Sequence, residues 1–407
     1  MSNVKISNIE GRPVAPAVRV GNVKEYYFSR KLREVAEMNA RGLDIISLGI
    51  GGPDLPPAPE VIDTLCEAAR DPRNHSYQPY VGIPELRDAF AGWYRRYYGV
   101  ELNPANEILP LIGSKEGIMH ITMAFVNPGD AVLVPDPGYP TYTSVSRLAD
   151  AEIVKYRLTP GNGWKPDFEA MSRLDAVREG RVKVMWVNYP HMPTGTPANE
   201  KLFREAVEFG RRHGIVIVND NPYSFILKPE GEKPLSILSV PGAKDICIEM
   251  NSLSKSHDMA GWRVAMLASN PEFIGWILKV KSNIDSGQFR PVMLAAAKAL
   301  ASDEKWYARL NAVYSARRKA AELIMQELGC SYDPAQRGLF LWGRIPDNEE
   351  SSETLADRLL YGHRVFVTPG FIFGEEGERY IRISLCATEE NLRNALERIR
   401  SGAQQSE

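Results

Sequence analysis

The 407-residue chain has only four cysteines, Cys66, Cys247, Cys330 and Cys386, widely scattered and without a CxxC pair. That spacing excludes a disulfide framework and a cysteine-based zinc site, and it predicts a reducing, cytoplasmic setting. The six histidines are dispersed too, so no metal site is predicted. An excess of one charge is also missing. Forty-nine Lys and Arg against 51 Asp and Glu leave a formal net charge of −2 with no basic block, so nucleic acid is not an expected partner. No apolar run approaches the roughly 20 residues that span a bilayer. The segment from Met1 to Val20 has no apolar core of signal-peptide length, and no membrane partner is predicted. Internal repeats and low-complexity segments are absent.

What is present is an alternation of short apolar segments with longer helical patterns. That alternation predicts an α/β fold with a mostly parallel sheet covered by helices. Candidate strands are Ile108–Ile112, Ala131–Val134, Ile153–Tyr156, Val182–Val187, Ile215–Asn219, Ile246–Met250 and Val264–Ala268. Several are apolar at consecutive positions, as burial on both faces requires. Asn199–His213 has helical spacing with Asn199 as a cap, and Pro84 suits a first helical turn. After about residue 300 the texture shifts to charged amphipathic helices (Glu304–Leu328, Ser352–Tyr361, Glu389–Ser401) around short strands at Leu339–Trp342, Val365–Val367 and Tyr380–Leu385. The expected organisation is a large domain over 58–300 and a smaller α+β domain over 301–407. The N-terminal segment 1–57 is expected to join the smaller one.

One loop carries the most chemical information. Ser252-Leu253-Ser254-Lys255-Ser256-His257-Asp258-Met259-Ala260-Gly261-Trp262-Arg263 follows an apolar strand and sets a single lysine among small hydroxylated residues, with an arginine eight residues on. A lysine placed there can form an imine with an aldehyde; the alternative is a solvated surface lysine. Five further segments bear on it. Gly113-Ser114-Lys115 opens a helix after a strand, where free amides attract a phosphate, although Gly-Ser helix starts are common. Asp220 and Tyr223 follow a strand at the edge where open α/β sheets bind ligands, though Asn219-Asp220-Asn221-Pro222 also reads as a simple turn. Asn188-Tyr189-Pro190-His191-Met192-Pro193-Thr194-Gly195 forms an irregular loop after another strand. Tyr139 offers an aromatic ring after a strand, although core packing is the usual job of such a ring. Arg382 interrupts the apolar strand Tyr380–Leu385, and if buried there it needs a carboxylate partner.

Taken in order, these motifs resemble the fold-type I pyridoxal-phosphate aminotransferases, the aspartate aminotransferase family. The resemblance runs from about Leu48 to Leu385. It includes Ser47-Leu48-Gly49-Ile50-Gly51-Gly52-Pro53-Asp54, similar to an LGxGxPD loop, and Ser76-Tyr77-Gln78-Pro79-Tyr80-Val81-Gly82-Ile83-Pro84-Glu85-Leu86-Arg87, similar to a YxPxxGxPxLR segment. It implies a ping-pong transfer of an amino group between an α-amino acid and a 2-oxo acid on pyridoxal 5'-phosphate (PLP), the cofactor doing the carbanion chemistry. By the same resemblance Lys255 carries the cofactor as an imine and shuttles the proton, Asp220 pairs with the ring nitrogen, and Tyr223 bonds the phenolic oxygen. Tyr139 stacks on the ring. Ser114, Lys115, Ser252, Ser254 and Arg263 bind the phosphate, with Tyr77 reaching the phosphate of a neighbouring subunit, which implies a homodimer with shared sites. Arg382 clamps the substrate α-carboxylate beside the Ile50 and Gly51 backbone. The resemblance points toward aspartate, alanine, glutamate or LL-diaminopimelate as substrate.

The chain departs from the family pattern at Met192, where NPTG is usual. Methionine cannot donate the hydrogen bond that asparagine gives the cofactor oxygen, so a raised imine pKa is expected unless Asn188 or a water substitutes. His257 and Asp258 read as loop variation. An elimination enzyme such as a C–S lyase would use the same Lys255 and Asp220 and stands as the alternative; a pyridoxal-binding transcription regulator would need a DNA-binding module ahead of the matched region. Lys24, Arg30 and Arg290 are candidates to face a second substrate carboxylate.

Overall fold

A computed structural model describes residues 16–23 and 27–401. Each of the seven predicted strands of the large domain is present. In chain order, after the two-residue β1 (Ile46–Ser47), they are β2 (Ile108–Leu111), β3 (Ala131–Asp136), β4 (Glu152–Arg157), β5 (Val182–Val187), β6 (Val216–Asp220), β7 (Cys247–Ser252) and β8 (Ala265–Ala268). They form one sheet in the order β2-β8-β7-β6-β5-β3-β4. Strands β4, β3, β5, β6 and β7 pair in parallel, and β8 runs antiparallel to both β7 and β2. The central strands are buried along their length because helices cover both faces. The edge strand β4 shows exposed positions instead.

The predicted helix signals act as their chemistry requires. Asn199 accepts a 2.8 Å hydrogen bond from the Leu202 amide at the start of helix Glu200–His213, and Pro84 occupies the first turn of helix Pro84–Tyr98. Two sets of buried side chains lie on the two faces of the sheet, one around Phe90, Trp93, Met185 and Ile217 and the other around Ile118, Val132, Trp186 and Ile248.

A separate sheet is built from β9 (Phe340–Arg344), β11 (Thr368–Pro369) and β12 (Tyr380–Ser384), all antiparallel, while β10 (Val365–Phe366) pairs in parallel with β1. The predicted strand Val365–Val367 is thus shortened to Val365–Phe366, and the chain resumes pairing at Thr368 with β12 instead. Ile46 and Leu48 pack with Leu341, Ile381 and Leu385 in the core of this second layer, so the N-terminal LGxGxPD-like loop is tied to the C-terminal sheet. Helix Glu304–Glu327 runs alongside, capped by Asp303. No helix among the described residues is long and apolar enough to cross a membrane.

Candidate active site

The topology gathers the predicted residues on one edge of the large sheet. Because β2, β3, β5, β6 and β7 run the same way, their carboxyl ends deliver Ser114, Tyr139, Asn188, Asp220 and Ser252 to a common rim. Antiparallel β8 begins on that rim, just after Arg263. The register opposite Ala265 places Leu111 on one side and Ser252 on the other. A cavity of about 430 Å³ opens there, closed from the other side by Gly51, Phe340, Ile372, Phe373 and Arg382 of the second layer.

Lys255 lies within the one-turn helix Leu253–Ser256, whose start is capped by Ser252. Its ammonium donates to the Gly51 carbonyl at 2.6 Å, bridging the two layers. Burial lowers its pKa, and the nearby Arg382 and Arg263 guanidiniums act in the same direction. Asp220 sits at the end of β6. One carboxylate oxygen accepts from the Tyr142 hydroxyl at 2.9 Å, while Oδ1 is buried with no partner. Burial raises its pKa to about 6, against the opposing pull of the Tyr142 hydrogen bond and of Lys255. Tyr142 is held by stacking on Trp186, ring centroids 4.9 Å apart. Tyr223 lines the same cavity, and burial keeps its hydroxyl protonated as a donor.

The anion-attracting end is built around the start of helix Ser114–Phe125. The Ser114 hydroxyl is buried without a partner, at a helix N-terminus where amides point outward. Gly113 precedes it at φ 82°, and a Cβ there would lie 2.0 Å from the Arg263 guanidinium. Glycine is therefore what lets that side chain reach the rim. Ser252 and Ser254 share a 2.9 Å hydroxyl contact, and Lys115 lines the same wall.

At the other end Arg382 is buried in β12, as its place in an apolar strand suggested, yet no carboxylate among the described residues meets it. Its guanidinium donates to the Gly49 carbonyl at 3.0 Å and to the Met192 sulfur at 3.4 Å, and Nε has no partner. The Phe340 and Phe373 rings lie 3.8 and 4.7 Å from it. Burial lowers its pKa to about 10, the mark of a cation lacking its counter-charge.

Of the residues singled out in the sequence, Lys255, Asp220, Tyr223, Ser114, Lys115, Tyr139, Ser252, Ser254, Arg263, Arg382 and Gly51 line this cavity; Ile50 and Tyr77 do not. Tyr77 is 90% exposed, and the Ile50 carbonyl is occupied by the Ser384 hydroxyl. Arg290 is paired with Glu85, Arg30 lies over the Tyr27 ring, and neither lines the cavity; Lys24 lies outside the described residues. The Asn188 amide donates to the Asp220 carbonyl and accepts from the Met192 amide, so it braces the loop. His257 is buried between Ser256 and Tyr307, and burial lowers its pKa to about 3, a packing role. Tyr142, Phe340 and Phe373 were not singled out: an aromatic residue in a strand or helix reads as core, and only the partners reveal otherwise. Away from the cavity, Glu116, His120 and Asp285 bring ligand atoms within 4.8 Å of one another, although the histidines looked dispersed in the sequence. The Lys281 ammonium already pairs with Asp285 at 2.5 Å and supplies the cation.

Comparison with known proteins agrees with this geometry. The family model for aminotransferase class I and II matches residues 43–399. An LL-diaminopimelate aminotransferase of Dehalococcoides mccartyi is 40% identical over 381 residues, covering 94% of this chain and 97% of that one. The enzyme of the same name from Moorella thermoacetica is 41% identical over 384 residues, with 94% and 97% covered. Among solved structures, substrate-bound BacF from Bacillus subtilis superposes with a TM-score of 0.89 at 35% identity, covering 95% of this chain and 98% of that one. An aspartate aminotransferase mutant of Thermus thermophilus gives 0.87 at 26% identity, with 96% and 100% covered. The chain belongs to the class I and II aminotransferases, with the fold-type I architecture, and is a transaminase.

Proposed function

We propose that the cavity binds pyridoxal 5'-phosphate, that Lys255 is the amine that carries it, and that the donor is a small amino acid of the class handled by the similar enzymes: LL-diaminopimelate, aspartate, alanine or glutamate. The observation that carries the cofactor assignment is the set of buried polar atoms left without partners around one cavity: Asp220 Oδ1, Ser114 Oγ and Arg382 Nε. Buried polar groups are nearly always paired, so three orphans converging on one space mark the outline of a polar occupant. Their chemistry suits a phosphorylated pyridinium: a carboxylate for a ring N–H, a helix start with Ser252 and Arg263 for a phosphate, and a tyrosine hydroxyl for a phenolic oxygen.

When bound, the cofactor supplies the electron sink that makes the substrate Cα–H acidic. The chain supplies the rest. Asp220, braced by Tyr142, is the anion that keeps a proton on the ring nitrogen. Its raised pKa in the cofactor-free cavity falls once a cation faces Oδ1. Lys255, whose pKa burial lowers, holds the neutral amine that takes a proton at Nζ and returns it one position along. Arg382 fixes the α-carboxylate in the plane between Phe340 and Phe373, which orients the bond to be broken. Tyr139 covers one ring face.

Two wider readings belong to the same proposal. The division into a large domain over 58–300 and a smaller one over 301–407 with the N-terminal segment is supported by the packing of Ile46 and Leu48 with β9 and β12. A homodimer, with Tyr77 entering the partner's site, is supported by the exposure of that ring and of Ile284 and Phe289, and a cytoplasmic setting by the four free cysteines.

The test is spectroscopic. The cofactor-loaded protein is mixed with each candidate amino acid and no oxo acid. Conversion of the visible cofactor absorbance to a near-ultraviolet band, fastest with one of the four donors and abolished in Lys255→Ala at unchanged fold, is expected. Release of ammonia and pyruvate, or substantial turnover by Lys255→Ala, overturns it.

A further inference from the structure

The wall of the cavity that faces Arg382 comes from the short segment Gly370–Gly377, which supplies Ile372 and Phe373. This segment belongs to the second layer, yet it is fastened to the end of β3 in the first. Asp136, the last residue of β3, has a side chain only 4% exposed. Its Oδ1 accepts from the Glu376 amide at 3.1 Å and its Oδ2 from the Lys155 ammonium at 3.0 Å. Lys155 also donates to Glu375 at 2.9 Å, and Arg157 pairs with Glu376. The Gly138 amide donates to the Phe373 carbonyl at 2.8 Å. Gly374 passes over the carboxylate so closely that a Cβ would sit 2.0 Å from Asp136 Oδ1, with φ at 143°.

Fit and charge here serve one end. A buried carboxylate is retained where it holds something that apolar packing would not fix. What Asp136 holds is a loop whose next contact is the Phe373 ring against the Arg382 guanidinium. Three residues along the chain in the other direction is Tyr139, which lines the same cavity. A single buried anion therefore sets two walls relative to each other.

We propose that Asp136 is a positioning residue for substrate binding. By clasping Gly370–Gly377 onto the end of β3 it fixes Phe373 against Arg382 and holds the α-carboxylate subsite in its binding geometry. Asp136 touches neither substrate nor cofactor; it acts through Phe373. The proposal rests on the assignment of Arg382 to the substrate carboxylate.

The test uses the cofactor-loaded enzyme. Asp136→Asn removes the charge that holds Lys155, and Gly374→Ala forces the loop off the carboxylate from the opposite side. Each is expected to raise the donor KM about tenfold and to weaken a competing carboxylate inhibitor equally, with kcat within about twofold. The visible cofactor absorbance stays unchanged. The double variant is expected to be no worse than the stronger single one, because both break one contact. Lys155→Met, at a half-exposed position, is expected to raise KM about threefold by loosening the clasp without removing it. It carries the test alone if the other variants fail to fold. Unchanged KM in the variants that fold, additive effects in the double variant, or loss of the cofactor absorbance overturns the proposal. Arg382→Leu is measured alongside. If it raises KM while the clasp variants do not, the clasp alone fails; if it leaves KM unchanged, the carboxylate assignment fails and the clasp with it.

Discussion

Two buried carboxylates stand on neighbouring strands of the large sheet, and they are finished differently. Glu249 on β7 is fully buried, and both its oxygens are saturated: Tyr94 and Ser236 hydroxyls donate to Oε1 at 3.0 and 2.7 Å, the Asn219 amide and the Ile237 N–H to Oε2 at 2.9 Å each. Asp220 on β6 has one donor, Tyr142, and an oxygen with none. The same contrast recurs among the buried arginines. Arg317 meets Asp54 through two hydrogen bonds of 2.6 and 2.8 Å and also donates to the Leu385 carbonyl. Arg382 meets a carbonyl, a sulfur and two aromatic rings. A buried charge whose partners are all inside the chain holds the fold together. One whose partner set is incomplete and faces a cavity is a candidate to meet a ligand, as we propose for Asp220 and Arg382.

The sharpest way to break this contrast is to neutralise each carboxylate. Asp220→Asn is expected to lower kcat by about 10³-fold, because an amide cannot stabilise a cation in the ring plane. Glu249→Gln should keep activity per folded molecule. It should lower stability by about 2 kcal/mol, since one amide N–H₂ would face donors it cannot accept. The pH dependence separates them further. In the cofactor-free protein the Asp220 pKa is raised to about 6, so its neutral form stabilises the fold below the unfolded value near 3.9. That contribution, about 3 kcal/mol at 1.4 kcal/mol per unit, is lost as pH rises toward 6. Denaturant unfolding of the cofactor-free Asp220→Asn variant, relative to wild type, should therefore show a stability difference that grows from pH 4 to 6 and then levels. A difference that is flat with pH would remove Asp220 from the titrating groups.

The arginine pair predicts a smaller divergence. Arg382→Leu should raise the donor KM about 10²-fold, the worth of a two-pronged charged contact, with little change in the unfolding midpoint. Arg317→Leu should leave KM near wild type and lower stability by about 2 kcal/mol, because Asp54 loses its partner while about a third exposed. If both arginines behave alike in steady-state kinetics and in unfolding, completeness of pairing is not the distinguishing feature.

The smallest effect concerns Met192. Its sulfur accepts from Arg382, and Asn188, the side chain that could have substituted, is spent on the Asp220 carbonyl and the Met192 amide. In the proposed placement, the phenolic oxygen of the cofactor would therefore lack a second donor from this loop. Met192→Asn should lower the pKa read from the visible cofactor absorbance by about one unit, the value of one hydrogen bond to a charged oxygen. An unshifted titration would show that the oxygen is served by another group.

Legibility in the sequence followed locality. The seven strands of the sheet, the Asn199 cap and the Pro84 helix start were readable, because apolar runs and capping are set by neighbours in the chain. Strand ends could be named as sites because a parallel sheet aligns them. Lys255, Asp220 and Arg382 could be named because motif order carries the resemblance. Tyr142 could not, since its role depends on a partner 78 residues away in β6, and Asp136 could not, since it acts on a segment 240 residues distant. Exchanges with the second layer, such as Lys255 to the Gly51 carbonyl, are likewise invisible to periodicity.

The sequence by itself therefore determined the α/β alternation, the position of the lysine loop we propose as catalytic and the family to which the chain belongs. Each rests on short-range patterning or on residues in fixed order. Only the tertiary structure decided which buried charges are complete and which are open. Completeness is a count of donors and acceptors within hydrogen-bond reach, and for Asp220 and Arg382 those partners come from strands and loops far apart in the chain.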